Sequence, residues 1–369
     1  MTSAGPRTSM PAEPNPPPGP RITLLGPQRD PRLRSTITTL GLQGCHFATI
    51  TAGWRDRESE DTLLVEELGG RATNLHLWGL MQEVWEADPE LHRADRERRS
   101  AMGEMQALYL IGLEQAAEGL HRLRSHEPRH ERIRQMAIDD AVHIKRAMDR
   151  RHLARVEELH HEYFDRYQPQ HRDAVVAARF AVGRAIGETD AVVIPGGHVG
   201  VLLGALHLFN LGPALAHADA DDEGRAISTP TLHRPIIAWG AGAMVLTERI
   251  LLYYDNSVAS PGVAEMLMNG LGLTRDVVAL PSPRERLDIR NTPRMETLAA
   301  RLAPAHALLL DENAEVTLDA EGRLPAEARV LGADGLPTTY DPGADAPTTD
   351  GPGAGTAPGA RTDEGEVDA

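Results

Sequence analysis

Over residues 21–79 short apolar runs alternate with helical or turn segments. "RITLLG" reads as a strand ending in Gly26-Pro27, "PRLRSTITTLGLQG" as a helix closed by Gly44, and "HFATITAG" as a second strand. "TLLVEELGG" suits a helix with a glycine C-cap, and "RATNLHLWG" a third strand. Strands spaced by helices predict a parallel sheet covered on both faces.

Between about residues 80 and 188 the strand signal is absent. Met102, Met105, Tyr109, Leu113, Ala116, Leu120 and Leu123 recur at spacings of three and four, which is one face of a helix. Beyond Pro128 the same spacing picks out Ile133, Met136, Ala141, Ile144, Met148, Val156 and Leu159 on a longer helix. "RDAVVAARFAVGRAIGETD" supplies another, so 80–188 reads as a helical insertion. From residue 190 the α/β grammar returns. "AVVIPGGHVGVLLGALHLFNLG" and "RPIIAWGAGAMVLTERI" are each strand, Gly-rich turn and helix, and "HALLLDENAEVTLD" is strand, acidic turn and strand.

The predicted organisation is therefore a Pro-rich tail at 1–20, one α/β domain at 21–335 carrying the insertion 80–188, and an acidic tail at 336–369. The first tail is rich in Pro and the second in Pro, Gly, Thr and acid with little to bury, compositions of solvated, disordered chain.

Charge narrows the partners. The chain of 369 residues carries a net charge of −16, and Lys145 is its only lysine. An acidic surface argues against nucleic acid and anionic membranes, both of which reward a basic face. Apolar runs fall short of the roughly 20 residues of a membrane helix, and the N-terminus lacks an apolar leader, so the expected location is cytoplasmic. Cys45 is the only cysteine. That removes intramolecular disulfides and Cys-rich zinc sites, and no motif asks for a cofactor or metal.

The candidate chemistry lies at the two strand–turn–helix junctions. In a nucleophile elbow small residues flank a reactive side chain, and the next backbone N–H joins an oxyanion hole. Ala238, Ala241, Gly242 and Ala243 supply the smallness around Gly240, and Gly196-Gly197-His198 aims a second set of N–H groups from a neighbouring strand. The expected pocket comprises Gly196, Gly197, His198, Gly240, Ala241 and Trp54, favourable to an anion. Trp54, Arg55 and Glu58, after the second strand, suit either ligand contact at the sheet's carboxyl edge or the first turn of a helix.

"AWGAGAMVL" resembles the W-S-A-G-A-type elbow of the peptidase E and cyanophycinase group of serine hydrolases, in the class I glutamine amidotransferase-like superfamily. "VVIPGGHVGVLLGAL" resembles that group's Gly-Gly turn and helix, "LLLDENAEVTLD" its late I-D-E-x-T-A-type segment, and "RITLLGPQ" its opening strand. The resemblance covers about 21–79 and 190–322, leaving the helical zone as a departure. It implies a three-layer α/β/α sandwich of flavodoxin-like type. It also places the family's serine at Gly240, and no histidine occurs between His233 and His306, where the family's catalytic base belongs. A base out of hydrogen-bond reach cannot activate a nucleophile.

Three functions follow as expectations. The first is a protein that has lost serine-hydrolase activity and binds a carboxylate or peptide-like ligand or serves as a scaffold. The second is an active peptide or amide hydrolase with a displaced nucleophile among Ser257, Ser260, Ser282 and Thr247, each of which also suits a cap or turn. The third is a homo-oligomer formed through the helical insertion. Cys45 next to His46 reads as a small buried hydrophobe. "HEPRH" at 126–130 is broken by Pro128 and cannot hold zinc on one helical face. Glu157 with His160, and Glu158 with His161, lack the further ligands of a di-iron site and read as a solvated face.

Overall fold

The structure is a computed structural model in which residues 19–29, 31–217, 230–254 and 263–343 are described. In chain order they form β1 (Ile22–Leu25), α1 (Arg34–Thr39), β2 (Phe47–Thr49), a 3-10 segment at Ala52–Arg57, α2 (Thr62–Glu67) and β3 (Ala72–Asn74). Four helices follow, α3 (Leu77–Ala87), α4 (Pro89–Ser125), α5 (Glu131–Tyr167) and α6 (Asp173–Gly187). Next come β4 (Ala191–Ile194), α7 (Val199–Leu208), α8 (Gly212–Leu215), β5 (Ala216–His217), β6 (Thr231–Leu232), β7 (Ile236–Trp239) and α9 (Ala241–Leu246). The remainder is β8 (Arg249–Leu252), β9 (Glu265–Asn269), β10 (Val277–Pro281), α10 (Pro283–Arg286) and α11 (Thr292–Leu302). It ends with β11 (His306–Leu310), β12 (Glu315–Thr317), β13 (Arg329–Leu331) and β14 (Pro337–Thr339).

The architecture is mixed α/β around a six-stranded sheet ordered β12-β1-β7-β4-β2-β3. Only β12 runs antiparallel to its neighbour. The runs AVVI and IIAW are buried throughout because both faces of these strands are packed. Val192, Ile194, Ile236 and Ala238 join one core with residues of α3, α6, α7 and α9. Val193, Ile237 and Trp239 point the other way, into a core with Leu33 and Ile37 near α1 and Leu64 and Leu68 near α2. A second sheet, β10-β11-β13-β14, stands beside the first. Among the described residues no helix is long and apolar enough to cross a membrane.

Several local expectations shift. The first helix stops at Thr39, with Gly41 at φ 70, rather than running to Gly44. The third strand ends at Asn74, because Leu77 already begins α3, so the helical region starts before residue 80. The folded chain continues past residue 335: Pro337–Thr339 pairs with β13, which corrects the start of the acidic tail. The 126–130 segment joins α4 to α5 outside either helix.

The larger correction concerns α5. Of the apolar stripe read along it, Ile133, Met136 and Ile144 are exposed, whereas Val156 is buried and Met148 packs against a core. Its buried residues are Ile138, Lys145, Asp149, His152, Leu153, Val156 and Tyr163. Apolar spacing marks a helical face but does not say that all of it is covered, and here Lys145, Asp149 and His152 are turned inward among apolar residues.

Candidate functional site

Three turns meet at the carboxyl end of the main sheet: 52–55 after β2, 195–198 after β4 and 239–241 after β7. Gly240 adopts φ 56, ψ −126, a conformation that permits an abrupt switch from strand to helix and that glycine takes most readily. A Cβ on Gly240 would stand 2.9 Å from the Gly196 Cα. Gly197, at φ 143, is pressed against the neighbouring turn, where a Cβ would fall 2.5 Å from the Gly53 carbonyl carbon. The contact is locked from both sides. His198 N–H donates to the Gly53 carbonyl at 2.8 Å, and the Trp54 indole N–H donates to the Gly196 carbonyl at 2.9 Å.

These turns floor a cleft of about 880 Å³, within the range of small-molecule sites. Gly196, Gly197, His198, Gly240, Ala241 and Trp54 all line it, together with Gly53, Tyr254, Ser282 and Arg286. Arg286 lies over the Tyr254 ring, 5.7 Å from its centroid. Two residues outside the glycines hold left-handed backbone here: Ser282 at φ 53 and Arg55 at φ 59, ψ −127. Such strain clusters at ligand sites.

One expectation about the turn fails. The His198 N–H is consumed by Gly53, so it cannot serve an oxyanion. The His198 ring has a fixed role as well: Nδ1 accepts the Val201 N–H at 3.2 Å and caps α7. An accepting Nδ1 puts the ring proton on Nε2, making that nitrogen a donor and not a base. Burial, then the Arg55 charge, push the His198 pKa below its ordinary value, which keeps the ring neutral.

Three further histidines stand at the amino ends of their strands. His46 precedes β2, His233 precedes β7, and His306 opens β11. The carboxyl end of β11, Leu310, accepts the Ser282 N–H beside the cleft, about 13 Å of strand away from His306. Thr247 is fully buried, with its hydroxyl bonded to the Met244 and Arg249 carbonyls. Ser257 and Ser260 lie outside the described residues.

Glu58 resolves to a structural role. It is buried, and its carboxylate accepts the Trp78 and Gly79 N–H groups, both at 3.0 Å, capping α3. Cys45 is half-buried rather than buried, at the edge of the α1–α2 core. His160 also departs from expectation. It lines a second cavity, of about 390 Å³, that shares His198, Gly200 and Leu267 with the cleft. Trp78, Trp85, Tyr163 and Arg98 wall that chamber. No local pattern announces it, since the aromatic residues are spread over α3 and α5. Gly53 was also missed, although a glycine directly after a strand is a signal of close backbone approach.

No protein-family model matches the chain, and no curated protein matches it. Among solved structures it is similar to "Crystal structure of a peptidase from an acI-B1 Actinobacterium", with 11% identity over 85% of this chain and 87% of that one and a TM-score of 0.36.

Proposed function

We propose that the cleft is a serine-hydrolase-type elbow site without its nucleophile, which binds a carboxylate- or peptide-like ligand and does not cleave it. On this reading the fold is a flavodoxin-like, class I glutamine amidotransferase-like sandwich, and the chain is a peptidase E/cyanophycinase-like protein. The observation that carries it is Gly240: an elbow conformation at a strand–helix junction, with Gly196 Cα packed where a side chain would leave the backbone. His198, neutral and with its proton on Nε2, supports recognition over proton abstraction. Arg286 on the rim supplies positive charge for a ligand carboxylate.

The test is binding without turnover. Titration of Asp-X dipeptides is expected to give saturable binding that weakens about tenfold in Arg286→Ala, with no product released. A fluorophosphonate probe that labelled the wild-type protein at a defined Ser or Thr would overturn the proposal.

A second reading is an active hydrolase with Ser282 as a displaced nucleophile. It rests on Ser282 lining the same cleft as His198 in left-handed backbone. Dipeptide turnover abolished by Ser282→Ala would favour it. The exposed Leu108 and Ile111 on α4 and Ile133, Met136 and Ile144 on α5 support a further role for the hairpin as a contact face between copies of the chain. Light scattering of Ile133→Glu/Met136→Glu tests that role, and an unchanged mass would remove it.

A further inference from the structure

The polar face that α5 turns inward opens on a third cavity, of about 430 Å³, between α4, α5 and α11. Every charged side chain in its wall is basic or a histidine: His121 and Arg124 from α4, Lys145 from α5, and Arg294 and Arg301 from α11. No carboxylate joins them among the lining residues. This stands against the composition of a chain with net charge −16.

The acids nearby are already engaged. Asp149 receives Arg301 through Nε at 2.9 Å and through a second nitrogen at 2.8 Å, and also the Tyr109 hydroxyl at 2.6 Å. Glu296 is paired with Arg124 at 3.1 Å. Lys145 is different. It is 5% exposed, and its amine makes no hydrogen bond or ion pair with a described residue. A buried ammonium without a partner is costly, and it is tolerated where something else supplies the missing acceptors. The first turn of α11, through Pro293 and Arg294, also borders the cavity and adds the positive end of an eleven-residue helix.

We propose that this cavity binds a tetrahedral oxoanion of the phosphate type, with the Lys145 ammonium as its central contact and the arginines around it. The site is separate from the Gly240 cleft, with which it shares no lining residue, and does not depend on how that cleft is read. Lysine is suited to the task as a compact point charge with three donors, while Arg301 and Arg124, whose forks are engaged by Asp149, Ala264, Glu296 and Pro293, add positive charge around it. The volume exceeds that of a bare ion, so a phosphomonoester fits as well as inorganic phosphate.

Protonation supports the geometry. Burial first, then the Arg301 charge, bring the Lys145 pKa down to about 7, with Asp149 opposing and Arg294 and Arg124 adding to the shift. A bound dianion would restore the proton. Affinity for an anion whose own charge is constant should therefore fall as pH rises through 7.

The experiment is calorimetric titration of the full chain with inorganic phosphate, glucose 6-phosphate and sulfate, beside Lys145→Met and Lys145→Gln. One saturable phosphate site is expected, weakened at least about tenfold in both variants. Lys145→Met should unfold at the same temperature as wild type or higher, because it replaces an unpaired buried cation by an apolar chain of similar length, so lost binding will not reflect lost folding. Sulfate affinity should drop about tenfold between pH 6 and pH 8 in the wild type, and stay flat in Lys145→Met. Tighter binding of glucose 6-phosphate identifies the ligand as a phosphorylated metabolite; weaker binding identifies the free ion. Absence of saturable binding, or equal affinity in wild type and a folded Lys145→Met, overturns the proposal.

Discussion

Gly240 and Gly196 approach so closely that a Cβ on the first would lie 2.9 Å from the Cα of the second. The two turns are therefore packed backbone to backbone where an elbow site would project its attacking atom. Gly240→Ser must adopt φ 56 and displace the 196–197 turn, which Trp54 and Gly53 hold in place. A cost of about 1–3 kcal/mol follows from the left-handed backbone alone. Calorimetry should show the variant melting several degrees below wild type. It should also remain unlabelled by fluorophosphonate, because His198 offers a donor rather than a base. Labelling at position 240 in that variant would show that a functioning base had been overlooked.

The His198–Val201 contact has its own consequence. With Nδ1 accepting a backbone N–H, the neutral Nε2–H tautomer should dominate at pH 7, and the ring should titrate below its ordinary pKa. Nitrogen-15 NMR reads both properties directly. His198→Ala should lower stability by about 1 kcal/mol through loss of the α7 cap. A ring found protonated at pH 7, or in the other tautomer, would return it to consideration as a base.

What was legible in the sequence was local. The strand–turn–helix grammar around Gly196 and Gly240 located the cleft because each run is short, apolar and punctuated by glycine. Pairing was not legible: β11 and β12 read as consecutive strands of one unit, yet β12 joins β1 while β11 joins β10. Nor was it visible that Gly53 completes the site, since that depends on two strands lying side by side. The α5 stripe of Ile133, Met136 and Ile144 misled for a related reason. Periodicity registers residues of like polarity, and the burial of Asp149 depends on Tyr109 and on Arg301, the latter more than a hundred residues away in the chain.

Acid should weaken the fold through the chamber beside the cleft. His160 and His207 face each other at 5.9 Å between ring centroids. Burial, followed by the Arg98 charge, brings their pKa values to about 3 and about 4. Both are lowered, so the unfolded chain binds protons first, and stability is full above the ordinary histidine pKa of about 6.5 and declines below it. The decline should run from about pH 6.5 to about pH 4 for His207 and to about pH 3 for His160, at a rate on the order of 1 kcal/mol per pH unit for each ring. Urea titrations across that window should show a shallower slope in His160→Gln/His207→Gln. An unchanged slope would assign acid sensitivity to other groups.

Asp149 and Arg301 form the most deeply buried ion pair described, at 4% and 3% side-chain exposure. Their attraction is offset by desolvation, so the pair itself contributes little compared with apolar residues of similar size. Removing one partner is another matter. Asp149→Ala would leave Arg301 beside the amine of Lys145 with no anion between them, and should cost about 3–5 kcal/mol. Asp149→Leu/Arg301→Met removes both charges, and should regain most of that loss even though every hydrogen bond of the pair is gone. Denaturant melts of the two singles and the double give the coupling energy directly. Additive losses in that cycle would mean that the two charges act independently, and would also undercut the claim that Asp149 is already committed and unable to serve Lys145.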